Sequence, residues 1–323
     1  MTMIQRISVP EAVRSGELSV VASVSGGKDS TALILALREA EVPSRYVFAD
    51  TGWEAPETYA YLDTLRRILG IAIDVVGVEG GMVGKIRKRA GFPTRLGRWC
   101  TTELKVEPQR AYHDALVARG IETVAAMGIR AEESEARARM PAFELEESGY
   151  RSWGGWLWRP LLAWTIADVI AIHHRHDVPL NPLYLRGHDR VGCYPCIFSS
   201  KNEIRLIGNH APERVDEIAA IESECAALRV ARNEEHVAAG NEDPRYAFPQ
   251  HATFFQTKHG VEPMGIRSVV EWSRTSRGGR QLQLLAEPPT GGCMRWGMCE
   301  PPTKAGSEGN EDEEDEEDEG DDR

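Results

Sequence analysis

Residues Ser25 to Ser30 read SGGKDS and lie between the apolar run Val20-Val21-Ala22 and the helix-like stretch TALILALREA. A strand that runs through a glycine turn into a helix is a place where a chain holds phosphate. Gly26 and Gly27 let backbone N–H groups turn toward an anion, and Lys28 adds positive charge. Ser25 and Ser30 add hydroxyl donors at the positive end of the helix. The string is not a Walker loop, because Asp29 stands where that motif needs Ser or Thr after the lysine. An ordinary glycine turn carrying polar residues is the alternative, and the strand-loop-helix setting argues against it.

The surrounding pattern extends the same logic. Short β-branched or apolar runs alternate with amphipathic stretches up to about residue 127, which predicts a parallel sheet covered by helices. Strands are expected near residues 19–24, 45–49, 71–76 and 123–127, and helices at about 30–40, 56–69 and 106–119. Tyr59, Leu62, Leu65 and Leu69 recur at helical spacing and should face the sheet. Right-handed crossovers place the strand C-termini on one edge. Three motif-bearing turns meet there: SGGKDS, Ala49-Asp50-Thr51-Gly52 and Gly128-Ile129-Arg130.

With 323 residues the chain needs no disulfide staples to build a core. Its net charge of −12 misleads, because residues 307–323 hold 12 Asp or Glu against one Arg and carry −11 of it. The body is therefore nearly neutral, and the acidic run is expected to be a disordered, solvated tail. The N-terminus lacks an apolar stretch of signal-peptide length, and no run approaches the roughly 18 apolar residues of a membrane span, so a cytoplasmic protein without membrane contact is expected. In that setting six cysteines read as free thiols, metal ligands or catalytic groups.

Residues 131–155 are charged and irregular and predict a mobile, lid-like loop; Trp153, Trp156 and Trp158 after them read as packing. Thr165, with Asp168 three residues on, predicts a capped helix over 165–174. His173, His174 and His176 read as a cationic surface cap at its end rather than a metal site, and His188 reads as a neighbour of the later cysteines. Residues 212–240 predict a long helix, whereas 241–299 show no periodicity. The expected organisation is a nucleotide-binding unit over 1–200, a helical and irregular extension over 201–306, and the tail.

Several strings occur in order: SGGKDS, FADTG (Phe48–Gly52), RWCTTELKVEP (Arg98–Pro108), GIRAEES (Gly128–Ser134), and RPLLAWTIADV through NPLYLRG to VGCYPC. Together, over about residues 18–200, they resemble the phosphoadenosine phosphosulfate (PAPS) reductase family of PP-loop adenine-nucleotide enzymes. The resemblance implies an α/β, doubly wound, mostly parallel sheet with helices on both faces. It implies an adenine nucleotide, ATP or PAPS/APS, held by Ser25, Gly26, Gly27, Lys28, Asp29 and Ser30, with Asp50, Thr51, Gly52 and Gly128 against it. Asp50 would touch ribose, adenine or metal, or else cap the helix after it. Lys28 and Arg130 would act on the reacting anion, with Lys105 and Arg137 as further candidates; a salt bridge from Arg130 to Glu132 or Glu133 is the alternative.

Cys193 and Cys196 form a CxxC, with Cys100 far upstream; spacing alone permits zinc, a redox dithiol or an iron-sulfur cluster. The resemblance favours a 4Fe-4S cluster, but Thr101 stands where a second adjacent cysteine would be. Cys293 or Cys299 could supply the fourth ligand, or three cysteines could leave one iron open, while Cys225 reads as a buried structural thiol. The reductases' C-terminal ECGLH-like nucleophile segment is missing, with Cys299 the substitute nearest the terminus. Three functions follow: ATP-dependent sulfur insertion with Mg2+, a sulfur donor and a possible nucleic-acid acceptor; a sulfonucleotide reductase forming sulfite with a thioredoxin-like reductant; or a non-catalytic nucleotide-binding protein with structural zinc. Lys85, Arg87, Lys88 and Arg89 are the basic patch a nucleic acid would use.

Overall fold

A computed structural model describes residues 6–147, 153–241, 247–255 and 263–276. Strand β1 (Ser19–Val24) lies inside a six-stranded sheet with β2 (Ser44–Asp50), β3 (Asp74–Gly77), β4 (Thr123–Ala126), β5 (Phe143–Leu145) and β6 (Trp156–Trp158). The order is β3-β2-β1-β4-β6-β5, parallel throughout except that β5 runs antiparallel to β6. Chain order reverses on either side of β1, so a crevice opens beyond the carboxyl end of that strand. SGGKDS starts there.

Alternation along β1 covers both faces. Val20, Ala22 and Val24 join the main core under helix α1 (Lys28–Glu39), while Val21 meets Val47 and Leu116 on the other side. Leu33, Ile34, Leu35 and Leu37 of α1 are fully buried. Each such side chain contributes about 1.5–3 kcal/mol by leaving water, so the helix is central and its first turn has no room to drift. Helix α2 (Pro56–Leu69) begins with a proline, whose missing N–H costs nothing at a first turn, and stops at Gly70 in a left-handed conformation. Tyr61, Leu62 and Leu65 of α2 are buried, and Tyr59 and Leu69 pack at the core's margin. Helices α3 (Gly81–Arg89), α4 (Glu107–Val117) and α5 (Ile166–Arg175) follow, the last with the capping box expected from Thr165 and Asp168.

Several expectations need correction. The segment 131–155, read as an irregular loop, contains β5 and a short helix Glu135–Ala138; three residues of β5 are too few to show a period. Trp156 and Trp158 lie on β6, where Phe143 stacks on Trp156 at 5.0 Å and Trp158 is buried, so the packing role holds. The third strand begins at Asp74 rather than residue 71, and a π-helical turn (Thr102–Val106) precedes α4. His173 is not part of a surface cap. Its buried ring stands 2.9 Å from the Lys28 carbonyl oxygen and 3.2 Å from that of Val178, and burial keeps its pKa below the usual histidine range.

Beyond the sheet, α6 (Lys201–His210), α7 (Pro212–Ala238) and α8 (Ile266–Ser273) build a second apolar core with Trp53, Met82, Ile86 and Leu104. Helix α8 falls in the stretch left unassigned by periodicity. Cys225 is buried in this core, in agreement with its apolar helical neighbours. No helix among the described residues is long and apolar enough to cross a membrane. Cys293, Cys299 and the tail 307–323 lie outside the described residues.

Candidate functional site

The SGGKDS loop is braced from every side. Gly26 takes φ +72° and so needs glycine, and a side chain there would also stand 3.0 Å from the Thr58 methyl. Asn181, fully buried, donates from Nδ2 to the Gly26 carbonyl at 3.2 Å and accepts from the Leu183 N–H at 3.0 Å. The Ser30 hydroxyl donates to the Gly27 carbonyl at 3.0 Å and accepts from the Ser25 N–H at 3.1 Å. The Lys28 N–H donates to the Tyr184 hydroxyl at 3.2 Å, and the Lys28 ammonium lies 5.5 Å from that ring's centre. Asn181 and Tyr184 both belong to the NPLYLRG string, which carried no assigned role because nothing local tells a buried brace from a loop residue.

Asp29 is held between two cations. Lys28 Nζ approaches one carboxylate oxygen at 2.9 Å and Arg130 Nε the other at 2.6 Å. Burial works against the charge, but the two cations outweigh it and hold this carboxyl below the ordinary range. Arg130 is itself buried and also pairs with Glu132 at 2.5 Å, so its fork is directed at two carboxylates. Gly128 lets the third turn approach the loop. A Cβ there would stand 2.8 Å from the Asp29 carbonyl oxygen.

A cleft of about 930 Å³ opens over the loop. Ser25, Gly27, Lys28, Asp29, Ser30 and Gly128 line it; Arg130 does not, nor do Asp50, Thr51 and Gly52. Asp50 accepts from the Gly52 N–H and the Tyr59 hydroxyl, both at 2.8 Å, which shapes the turn. Glu54 reaches the cleft instead, its carboxylate accepting from the Thr51 and Trp53 N–H groups at 3.2 Å each. Lys105, Arg137 and Arg190 are further cationic linings, and Glu133 and Asp189 further acidic ones.

The cysteines gather beside this cleft. Glu54 pairs as an isolated bridge with Cys193, the Tyr194 N–H donates to the Trp53 carbonyl at 2.8 Å, and Trp53 Nε1 donates to the Pro195 carbonyl at 3.0 Å. Arg214 of α7 lies 3.8 Å over the Trp53 ring and donates from Nε to the Tyr194 carbonyl at 2.8 Å. The Tyr194 N–H and the Tyr194 and Pro195 carbonyls of the CxxC loop are thus satisfied by the protein. Burial raises the pKa of Cys100, and Cys193 and Cys196 are near enough to raise it further. Burial likewise raises Cys193, opposed by the Lys105 ammonium, which hydrogen-bonds the sulfur. His188 is buried against Tyr194 at 5.6 Å between ring centres, and burial pushes its pKa down to about 4.

The test for a metal or cluster gives a mixed result. Cys100, Cys193 and Cys196 share one locale, and thiolates are the ligands soft metals take, while the Lys105 ammonium beside them is not a ligand but favours their charge. As placed, no group of three or more His, Cys, Asp or Glu among the described residues forms a ligand set.

A doubly wound α/β sheet with a phosphate-type loop at its switch point, flanked by clustered thiols, defines a nucleotide-binding class of protein. Residues 19–199 match the phosphoadenosine phosphosulfate reductase domain, and the chain belongs to that family. It is 35% identical over 315 residues to an uncharacterized 37.8 kDa protein of Escherichia phage 186, covering 82% of this chain and 91% of that one. It is 31% identical over 180 residues to an adenosine 5'-phosphosulfate reductase of a Chelativorans species, covering 54% of this chain and 68% of the relative. A solved PAPS reductase from Candida auris, in a phosphate complex, aligns with TM-score 0.42 at 20% identity over 59% of this chain and 98% of that one.

Proposed function

We propose that this protein is an ATP-dependent enzyme of sulfur chemistry: an acceptor oxygen is adenylated with release of pyrophosphate, the outer sulfur of a cysteine persulfide loaded by a sulfur donor displaces AMP, and a second cysteine thiol frees the thiolated acceptor by forming a disulfide that an external thiol reduces. The observation that carries this reading is the charge balance of the cleft. Lys28, Lys105, Arg137 and Arg190 face Asp29, Glu54, Glu133 and Asp189, four cations against four carboxylates. A sulfonucleotide bound without metal brings two to four negative charges and calls for a cleft with excess positive charge. A balanced cleft suits a polyphosphate that arrives with its own divalent cation. Mg2+ bound with the polyphosphate would offset charge on the phosphates.

The loop residues would orient the polyphosphate through the Gly27 and Ser30 region and the Lys28 ammonium, with Arg130 acting as a positioning residue through Asp29. Lys105 stands between Glu54 and Cys193 and would keep the sulfur next to the phosphate that reacts. Cys100, Cys193 and Cys196 are the described thiols that could carry sulfur. A 4Fe-4S cluster or zinc would use the same three, with Cys293 or Cys299 as a fourth. Iron and zinc analysis of anaerobically purified protein tests this: Cys100→Ser and Cys196→Ser should each lower bound metal, and unchanged content in both removes them as ligands.

A second reading, sulfonucleotide reduction to sulfite, is favoured by the relatives named adenosine 5'-phosphosulfate reductases. On that reading Cys299 would serve as the nucleophile. Titration with ATP plus Mg2+ against adenylyl sulfate, with pyrophosphate and sulfite both assayed, separates the two. Tighter binding of adenylyl sulfate with sulfite release in the presence of thioredoxin would overturn the ATP reading.

A further inference from the structure

Residues 80–102 contain six Lys or Arg and no Asp or Glu. The fold neutralises three of these cations: Lys85 and Arg89 pair with Glu103, and Arg87 pairs with Glu224. Three of the four cations of the basic patch expected on α3 are thus paired within the protein, although Arg87 and Arg89 stay exposed. Arg95 and Arg98 differ, since among the described residues neither has a carboxylate partner. Arg95 Nε donates only to the Ile197 carbonyl, at 3.5 Å, and Arg98 to the Thr101 hydroxyl, at 3.3 Å.

Both guanidinium groups lie over one ring, Phe198, at 5.6 and 5.2 Å from its centre. Phe198 is 39% exposed, and Leu96 between the two arginines is 91% exposed. The turn that carries them is closed by the Gly97 N–H donating to the Thr94 hydroxyl at 2.7 Å. This surface adjoins the chemistry directly. The Phe198 N–H points to Cys196 Sγ at 3.5 Å, and Phe198 also lines the nucleotide cleft.

We propose that Phe198 with Arg95 and Arg98 is a platform for single-stranded nucleic acid, which presents an acceptor nucleotide to the thiols. The exposed part of Phe198 offers a stacking surface to any base once a guanidinium over the ring gives way, and the two guanidiniums take backbone phosphates or stack in turn. A duplex keeps its bases stacked on one another and out of reach of such a ring. Arg95 and Arg98, which have no carboxylate partner among the described residues, supply the charge complement to a polyanion. The acceptor role rests on the sulfur-transfer reading above, but the binding surface stands without it.

The test is fluorescence anisotropy of a labelled oligothymidine of about 15 nucleotides with the full chain over a range of salt. Wild type should bind with a dissociation constant on the order of 10 µM at physiological salt. Arg95→Gln with Arg98→Gln should weaken this at least about tenfold and reduce the log–log salt slope by about 1.4, two single-strand phosphate contacts. Phe198→Leu, which keeps apolar packing, should weaken it about tenfold and leave the slope unchanged. Melting curves check that each variant folds, and Arg98→Glu serves should the double variant not fold. No binding by wild type, variants that bind like wild type, or equal binding of polyglutamate or duplex DNA each overturns the platform. ATP affinity of the wild type is measured separately; if it is absent while oligonucleotide binding behaves as stated, the nucleotide reading fails and the platform stands.

Discussion

Gly128→Ala is expected to damage the nucleotide loop from a distance, because the two are in backbone contact. An added Cβ would lie 2.8 Å from the Asp29 carbonyl oxygen, 3.0 Å from its carbon and 3.3 Å from the Ser30 nitrogen. None of these atoms belongs to a flexible side-chain tip, and α1 behind them is locked by Leu33, Ile34, Leu35 and Leu37. Relief must come from moving the turn after β4 or the loop itself, at about 1–3 kcal/mol of overpacking. For a chain of this size that corresponds to a melting temperature lower by roughly 2–10 °C. A displacement of even part of an ångström in the loop should weaken ATP binding by about tenfold or more. Gly84→Ala is the matched control. Its Cβ would meet only the Glu79 carbonyl oxygen, at 3.6 Å, within helix α3. That change should stabilise by about 0.5–1 kcal/mol and leave ATP affinity alone. Differential scanning fluorimetry and isothermal titration of both variants decide the matter. A Gly128→Ala protein that melts and binds as wild type would refute the claim that this turn braces the loop.

Arg214→Ala should lose the stacking on Trp53 and the bond to the Tyr194 carbonyl, costing about 2–3 kcal/mol, with faster alkylation of Cys193 and Cys196. Arg214→Lys should not restore the slow rate, since an ammonium does not stack as a planar fork does; wild-type alkylation in both would sink the idea. His113 is buried between the Thr123 hydroxyl at 2.7 Å and the Trp153 ring, and burial lowers its pKa from 6.5 to about 4. The unfolded chain therefore takes up a proton that the folded one refuses. Stability is full above pH 6.5 and falls by about 3 kcal/mol as pH drops toward 4, and His113→Gln should flatten that slope in urea melts. Asn181→Ala should leave the Gly26 carbonyl and Leu183 N–H unpaired, lower stability by about 1–3 kcal/mol and weaken ATP binding; unchanged affinity would count against the brace.

Much of the fold was legible because its signals are local. The strand-loop-helix junction at SGGKDS, the amphipathic spacing of α2 and the cap at Thr165 each depend on residues within a few positions of one another, and each appears where the pattern placed it. Short elements such as β5 and the turn Pro182–Leu185 escaped because three or four residues carry no period. The histidines near residue 174 misled for a related reason. Helix position alone does not reveal that α5 packs on α1 and turns His173 toward the Lys28 carbonyl.

The amino-acid sequence by itself determined the phosphate-type loop, the parallel α/β layering and the presence of thiols suited to sulfur chemistry, since these follow from backbone freedom, periodicity and side-chain type. Only the tertiary structure decided how the charges are used. It turned Arg130 from a free anion fork into a partner of Asp29, put Glu54 in the cleft in place of Asp50, and paired Lys85, Arg87 and Arg89 of α3 with carboxylates while leaving Arg95 and Arg98 beside Phe198. Electrostatic partners are set by distance in space, and residues 101 positions apart, as Asp29 and Arg130 are, come within 2.6 Å only when the sheet brings two strand ends to one edge.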